Sequence, residues 1–515
     1  MIYTSSPLQR NLICLLICLI ILSGGCATLP DGYPKEQSFV IEHTDNTDLG
    51  VAVSRWMQTN DGLSGFYPLQ SGSDAFAARL RMIERAEVSI DAQYFLMKSD
   101  LAGHIFSQEL LMAADRGVRV RFLLDDIFST VSHEELFILD AHKNIGVRLY
   151  NPIATRGVFY LNFLGDFKRA NRRMHNKSFT VDSQITIVGG RNIADEYFDL
   201  NTDTEFEDFD VIAIGQVAAD VGESFDLFWN SKRSLPLDAI DVQFTTEQLD
   251  KVRVELINDF REAHESIYAD AMTNPELTDL LENGKSLHPA VWEVISDVPA
   301  KLKAPVAVEK QHLVNRISEL KEMAHNEIVV ITPYFVPLDS GLEFWKSITD
   351  QGIRVVLLTN SLASTNHIAV HSGYSKYRKR LIENGIELYE ARVDAIENMQ
   401  DIPSPPDNRT LHTKLIIIDR ELVFAGSLNL DPRSIELNTE LGISIASADL
   451  AEELANEFFA GLAESAYKVT LDEKGKLIWE GVVDGQQVTE HSEPSSSRWR
   501  RLKAWFLKIV PDSQL

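Results

Sequence analysis

Two segments decide how this chain is read: MHNKSFTVD at residues 174–182 and LHTKLIIID at residues 411–419. Both follow the spacing His-x-Lys-x(4)-Asp, giving His175, Lys177 and Asp182 in one and His412, Lys414 and Asp419 in the other. Their surroundings match as well. Gly189 and Gly426 follow their histidines at one common interval, and Asn192 and Asn429 at another, within VGGRN and AGSLN. A lone histidine is most often a hydrogen-bonded core residue. A duplicated His-x-Lys in a repeated context points to chemistry instead.

The repeat extends outward. AEVSIDAQYF, from Ala86, and NEIVVITPYF, from Asn326, each lead through an amphipathic stretch to RGVRVRFLLDD, ending at Asp126, or QGIRVVLLTN, ending at Asn360. Each reads as strand, helix, strand, and further apolar runs follow at Ser178 to Val188 and Leu415 to Phe424. Strands alternating with helices predict an α/β fold of two homologous halves, each a mainly parallel sheet flanked by helices, with the active site at their interface. The expected boundaries are a signal segment at 1–26, a linker at 27–60, a first half at 61–245 and a connecting region at 246–310. A second half at 311–470 and a tail at 471–515 complete the chain. An irregular insert at 392–408, containing IPSPPDNR, is expected to shape substrate access.

Residues two apart on a strand share a face, so each His-Lys pair can address one phosphate. Asp182 and Asp419 have the opposite parity and are expected to be structural, tying down neighbouring backbone or a side chain. Metal-free phosphodiester transfer needs a nucleophile, an acid for the leaving oxygen and cations at the phosphoryl oxygens. A neutral imidazole, an imidazolium and two lysines supply these, with Asn192 and Asn429 as neutral donors. Each ring also needs a carboxylate to fix its tautomer. Asp208 or Asp210 in EDFDVIAIG and Glu440 in NTELGISIA stand at comparable places after their histidines, and Asp208 and Glu440 are favoured. No metal constellation is evident and no cofactor is expected.

A formal charge of -27 argues against a general nucleic-acid binder, so any phosphate must meet a local basic patch. All three cysteines, Cys14, Cys18 and Cys26, lie near the N-terminus, so a cysteine nucleophile or zinc cluster in the body of the chain is excluded. Arg10 precedes an apolar run from Leu12 to Leu22, too short to span a bilayer comfortably, followed by Ser23, Gly24, Gly25 and Cys26. This resembles a bacterial lipoprotein signal with Cys26 as the lipidated residue, although Ser23 stands where that pattern prefers leucine. A lipid-anchored place in the bacterial cell envelope, on the periplasmic side, is the implied location.

The paired motifs resemble those of the phospholipase D superfamily over nearly the whole mature chain. The resemblance implies that His175 attacks phosphorus to form a phosphohistidine while His412 protonates the departing alcohol. The near-symmetry of the halves leaves the swapped assignment open. Within the superfamily, RRMHNKSFTVD, VGGRNIADEYFD, NLDPRS and the basic tail are most similar to bacterial cardiolipin synthases of the C type. That similarity implies transfer of a phosphatidyl group to phosphatidylglycerol, possible donors including phosphatidylethanolamine. A hydrolytic phospholipase D uses the same residues and differs only in the acceptor; a nuclease or a silent lipid-binding scaffold fits the residues less well.

FKRANRRMHNK runs Lys168, Arg169, Arg172 and Arg173 into the first motif, with Arg172 and Arg173 as candidate phosphate ligands, and SKYRKR adds a second cluster. Both read as a funnel for headgroup phosphate. The tail RWRRLKAWFLKIVP, from Arg498, interleaves cations with Trp499, Leu502, Trp505, Phe506 and Ile509, the pattern of a helix lying at a membrane surface. Whether a protein partner is required is not encoded in any motif.

Overall fold

The computed structural model describes residues 33–153, 167–200, 204–240, 244–264, 286–302, 313–393, 408–483 and 485–515. The apolar segment with Cys26 and most of the Pro-rich insert lie outside the described residues. The first half contributes β1 (Ser64–Leu69), β2 (Ser89–Tyr94), β3 (Arg119–Asp125), β4 (Ile145–Tyr150), β5 (Ser178–Val181), β6 (Ile185–Gly189), β7 (Thr204–Glu207), β8 (Asp210–Ile214) and β9 (Ser234–Pro236). The second contributes β10 (His288–Ser296), β11 (Glu327–Ile331), β12 (Arg354–Asn360), β13 (Glu387–Ala391), β14 (Asn408–Leu411), β15 (Leu415–Ile418), β16 (Leu422–Gly426), β17 (Leu441–Ala446) and β18 (Ala466–Leu471). β19 (Leu477–Val483) and β20 (Gln486–Glu490) follow in the tail.

Among the described residues these strands form one continuous 18-stranded sheet, with β7 and β14 paired separately. Following hydrogen-bonded neighbours from the first edge gives β9, β4, β3, β2, β5, β6, β8 and β1. β1 pairs antiparallel with β10, and the sheet continues through β17, β16, β15, β11, β12, β13, β18, β19 and β20. Read outward from the β1–β10 seam, the two halves have the same strand order. The repeat seen in the sequence is therefore a repeat of topology, and β10, inside the stretch expected to be connecting, is the counterpart of β1.

The α/β class and the two halves stand, but the sheets are not mainly parallel. Within the 18-stranded sheet only β2–β3–β4 and β11–β12–β13 run parallel, joined through helices such as Leu101–Asp115 and Leu338–Thr349. The apolar runs that carry the motifs fold as antiparallel hairpins, β5–β6 and β15–β16. A parallel return needs a crossover of a dozen or more residues. Here the gap is a tight turn: Gln184 N donates to Val181 O at 3.0 Å and Glu421 N to Ile418 O at 3.0 Å. Its central residues, Asp182 and Ser183 or Asp419 and Arg420, have φ of 49, 54, 51 and 57°, the left-handed conformation that such hairpin turns demand and that Asp tolerates better than most residues.

The same aspartates clamp the start of the neighbouring strand. Asp182 accepts from Val88 N and Ser89 N at 2.8 Å and from Glu87 N at 3.0 Å. Asp419 accepts from Glu327 N at 2.7 Å, Asn326 N at 2.8 Å and His325 N at 2.6 Å. β2 is buried along its whole length because the sheet is covered on both faces, and its Asp91 is neutralised by Arg121 at 2.6 Å. A core drawn from both halves, including Val188 and Val211 with Leu415, Ile417 and Val423, holds them together. Each such fully buried side chain is worth about 1.5–3 kcal/mol.

Candidate active site

His175 and Lys177 lie in the extended lead-in to β5, and His412 and Lys414 in the lead-in to β15, one step before the strands on which the spacing placed them. Both lead-ins are held by the opposite half. His175 N donates to Thr439 O at 2.9 Å, and Thr439 N returns a bond to Arg173 O at 3.0 Å. On the other side, His412 N donates to Glu207 O at 2.7 Å and Thr413 N to the same carbonyl at 3.0 Å. The β7–β14 pair, one strand from each half, delivers Asp208 and His412 together.

The side chains cross in the same way. Nδ1 of His175 lies 2.8 Å from Oε2 of Glu440, and Nδ1 of His412 lies 2.5 Å from Oδ2 of Asp208. The carboxylates expected from the sequence are thus the ones in contact, but each serves the histidine of the other half. With Nδ1–H donated to a carboxylate, each ring turns its Nε2 lone pair away from that partner, as a nucleophile or proton carrier requires. Glycine makes room for this: a Cβ on Gly190 would meet Asp208 Oδ1 at 2.1 Å. Its counterpart, Ser427, instead donates its hydroxyl to Glu440 Oε2 at 2.5 Å.

All four basic groups are buried. Lys177 Nζ donates to His175 O at 2.7 Å, and Lys414 Nζ to His412 O, with His412 Nδ1 at 2.9 Å. Burial lowers Lys177 to about 7 and Lys414 to about 8, each against the pull of a nearby carboxylate. Burial also holds His175 below the ordinary histidine range and His412 at about 3, the latter reinforced by Lys414. Burial opposes ionisation of Asp208, but Lys414 and His412 outweigh it and hold the carboxyl at about 2; Glu440 is lowered in the same way by His175 and Lys177. The site therefore combines two carboxylates, two rings held neutral and two lysines that titrate near neutrality, whose protonated forms a phosphate would favour.

Asn192 and Asn429 are buried beside the motifs but differ in use. Asn192 accepts from Leu96 N at 3.1 Å and donates to the Tyr197 hydroxyl at 3.0 Å, whereas Oδ1 of Asn429 has no partner among the described residues. Aromatic walls complete the site. Phe95 stands edge-on to His175, centroids 4.8 Å apart, while Phe206 stacks on His412 at 5.2 Å with Tyr197 and Tyr334 beyond.

Within the expected phosphate funnel, the structure corrects the reading of Arg173. Arg173 is fully buried and spent on Asp125 at 3.2 Å and Asn151 O at 2.5 Å, and Arg172 bonds the carbonyls of Lys301 and Glu436. In the second cluster Arg378 is buried against Glu390, and Lys376 pairs with Asp512. Guanidinium groups in an acidic protein find internal carboxylates and carbonyls first, and Arg173 braces the lead-in from a fully buried position, while Arg172 stays half-buried. Two positioning residues escaped notice in the sequence. Asp125 Oδ2 accepts from Met174 N at 2.9 Å, and Asn360 Oδ1 accepts from Leu411 N at 3.1 Å, each gripping the residue before a histidine. They end β3 and β12, within the repeated RGVRVRFLLDD and QGIRVVLLTN stretches, which was the available signal.

Comparison with known proteins agrees with this architecture. A family model described as cardiolipin synthase, PLD-like domain, matches residues 80–229 and 317–461, more than half of the chain. Cardiolipin synthase C of Escherichia coli is 36% identical over 477 residues, covering 90% of this chain and 98% of that protein. An Oceanobacillus iheyensis cardiolipin synthase is 25% identical over 431 residues, covering 83% and 74% of the two chains. The crystal structure of Haemophilus influenzae phosphatidylserine synthase shares the fold, with a TM-score of 0.53 at 16% identity over 81% of this chain and 91% of that one. Each half matched by the family model contains one His-Lys pair, and the chain belongs to the phospholipase D-like family of cardiolipin synthases.

Proposed function

We propose that this chain makes cardiolipin by moving a phosphatidyl group onto the terminal hydroxyl of phosphatidylglycerol through a phosphohistidine. The observation that carries the reading is the pair of buried His-Lys sites, each histidine oriented by a carboxylate of the other half. The similarity to a cardiolipin synthase across almost its whole length supplies the substrate class. His175 Nε2 attacks phosphorus, the P–O bond to the leaving alcohol breaks, and that oxygen takes a proton from His412. The acceptor hydroxyl then gives its proton to His412 while its oxygen attacks phosphorus and the P–N bond breaks. Entry of the anionic phosphate raises the affinity of the buried groups for protons, giving His412 its acid form and Lys177 and Lys414 full charge. Water in place of the lipid alcohol would give phosphatidic acid.

Lipidation at Cys26 and a place on the periplasmic side of the envelope belong to the same proposal. Labelled phosphatidylglycerol, with and without phosphatidylethanolamine, tests it: cardiolipin is the expected product. Phosphatidic acid alone would overturn the transferase reading, and no turnover of either lipid would overturn the substrate class.

A further inference from the structure

The basic tail forms a helix, Arg498–Leu507, capped by Ser497, whose hydroxyl accepts from Arg500 N at 3.1 Å. One side is docked on the second half. Ala504 is buried, Arg500 donates to the carbonyls of Leu362 and Thr365, and Arg501 donates to Glu493 O at 2.7 Å. Beyond the helix the chain is pinned again: Tyr377 donates to Asp512 at 2.8 Å and Arg433 N to Leu515 O at 3.1 Å. The docked side is thus fixed at both ends.

The other side is bare. Trp499, Trp505, Phe506 and Ile509 are 74, 64, 60 and 89% exposed, and Leu502 lies among them. Single exposed apolar residues are ordinary, but five on one short element form a contiguous patch of the kind that marks an interaction surface. Arg498, Lys503 and Lys508 are exposed on the same segment. Aromatic and aliphatic side chains flanked by cations fit an anionic lipid surface, where the rings sit at headgroup level. A second copy of this chain is a poorer occupant, because pairing this face with itself would set the exposed Arg498, Lys503 and Lys508 against the same cations, whereas anionic headgroups complement them.

The helix is also joined to the active site. The loop that receives Arg500 begins after Asn360, whose amide donates to Leu411 O at 2.8 Å, just before His412. Ser364 O accepts from the Thr410 hydroxyl at 2.7 Å, and Asn366 accepts from the Tyr334 hydroxyl at 2.6 Å, with the Tyr334 ring 6.3 Å from His412. Residues 361–367 therefore touch the tail helix on one side and the His412 segment on the other.

We propose that the helix Arg498–Leu507 is a bilayer-docking element for anionic membranes, coupled through residues 361–367 to the His412 side of the site. Docking and presentation of the site to lipid headgroups are then one event; this rests on the reading of the site as lipid-processing. The test uses the full chain, so that the N-terminal segment is the same in every arm. Vesicles of brominated phosphatidylglycerol should quench tryptophan emission more than brominated phosphatidylcholine, and W499F/W505F should remove that quenching. In W499S/W505S/F506S, turnover of vesicle lipid should fall about tenfold, while turnover of a monomeric short-chain substrate stays unchanged. Quenching that persists in the double variant overturns the proposal, as does unchanged vesicle turnover in the triple variant. Equal loss on both substrates assigns the helix a bracing role and overturns it too. A dimer that the triple variant dissolves, without lipid quenching, makes a second copy the occupant and overturns it. Absence of cardiolipin among the products would count against the proposed activity alone, since quenching does not depend on turnover.

Discussion

Oε2 of Glu440 stands 2.8 Å from Nδ1 of His175, a histidine 265 positions earlier and in the other half. The mirrored contact joins His412 to Asp208 across 204 positions. Neither half owns a complete site. E440Q should disturb the His175 ring while leaving His412 untouched, and D208N the reverse. Each should lower kcat roughly 10–100-fold, the usual loss when a partner that fixes an imidazole is removed, with little change in KM. Nitrogen-15 shifts of the two imidazoles check the pairing directly: a shift at His412 Nδ1 in E440Q would show that the carboxylates serve their own halves.

The pH dependence follows from the buried lysines. Burial lowers their affinity for protons, so the free enzyme loses positive charge as pH rises through about 7 at Lys177 and about 8 at Lys414. Burial keeps the His412 ring neutral down to about pH 3 and lowers the His175 ring below the ordinary histidine range. The ratio kcat/KM should therefore fall on the alkaline side, above about pH 7–8, and hold below the usual histidine range near 6.5. K177R keeps its charge and should move the alkaline limb upward even if its maximal rate is lower. A falling limb in that pH range that K177R leaves in place would sink this assignment.

Much of this was legible because chemistry and topology were both duplicated. Two copies of His-x-Lys-x(4)-Asp pointed to the buried His-Lys pairs, and the repeated strand–helix–strand identified the α/β halves. The hairpins were not legible from the apolar pattern alone: Ser178 to Val188 and Leu415 to Phe424 read as single runs in a mainly parallel sheet, but each is broken by a tight turn too short for a parallel return. Cross-pairing of the carboxylates was not legible either. Asp208 and Glu440 follow their own histidines at similar intervals, and linear spacing cannot say that β7 would pair with β14 from the other half. The fate of the arginines was hidden for a similar reason: whether Arg173 meets a phosphate or Asp125 depends on what β3 brings beneath it.

An activated leaving group separates the two histidine roles. A phosphatidyl ester of 4-nitrophenol needs no proton on its departing oxygen, so loss of the acid should spare the first step. H412A should still release a burst of nitrophenolate matching the enzyme concentration, then stall, whereas H175A should give none. A burst from H175A but not from H412A would assign the nucleophile to the second half.

The correction to the basic cluster can be tested on stability. Arg173 and Asp125 are both fully buried, and Asp125 also accepts from Met174 N at 2.9 Å, immediately before His175. Removing the guanidinium leaves a carboxyl that burial has already pushed up to about 6, with Arg173 opposing that rise. R173M should therefore lower unfolding stability by about 3–5 kcal/mol, the usual result of breaking one side of a buried pair. R173M/D125N removes the stranded charge and should recover part of that loss. In both variants the KM for phosphatidylglycerol of the folded fraction should stay near the original value, because the guanidinium does not reach substrate. A raised KM with unchanged melting would return Arg173 to the role of phosphate ligand that its place in the sequence suggested.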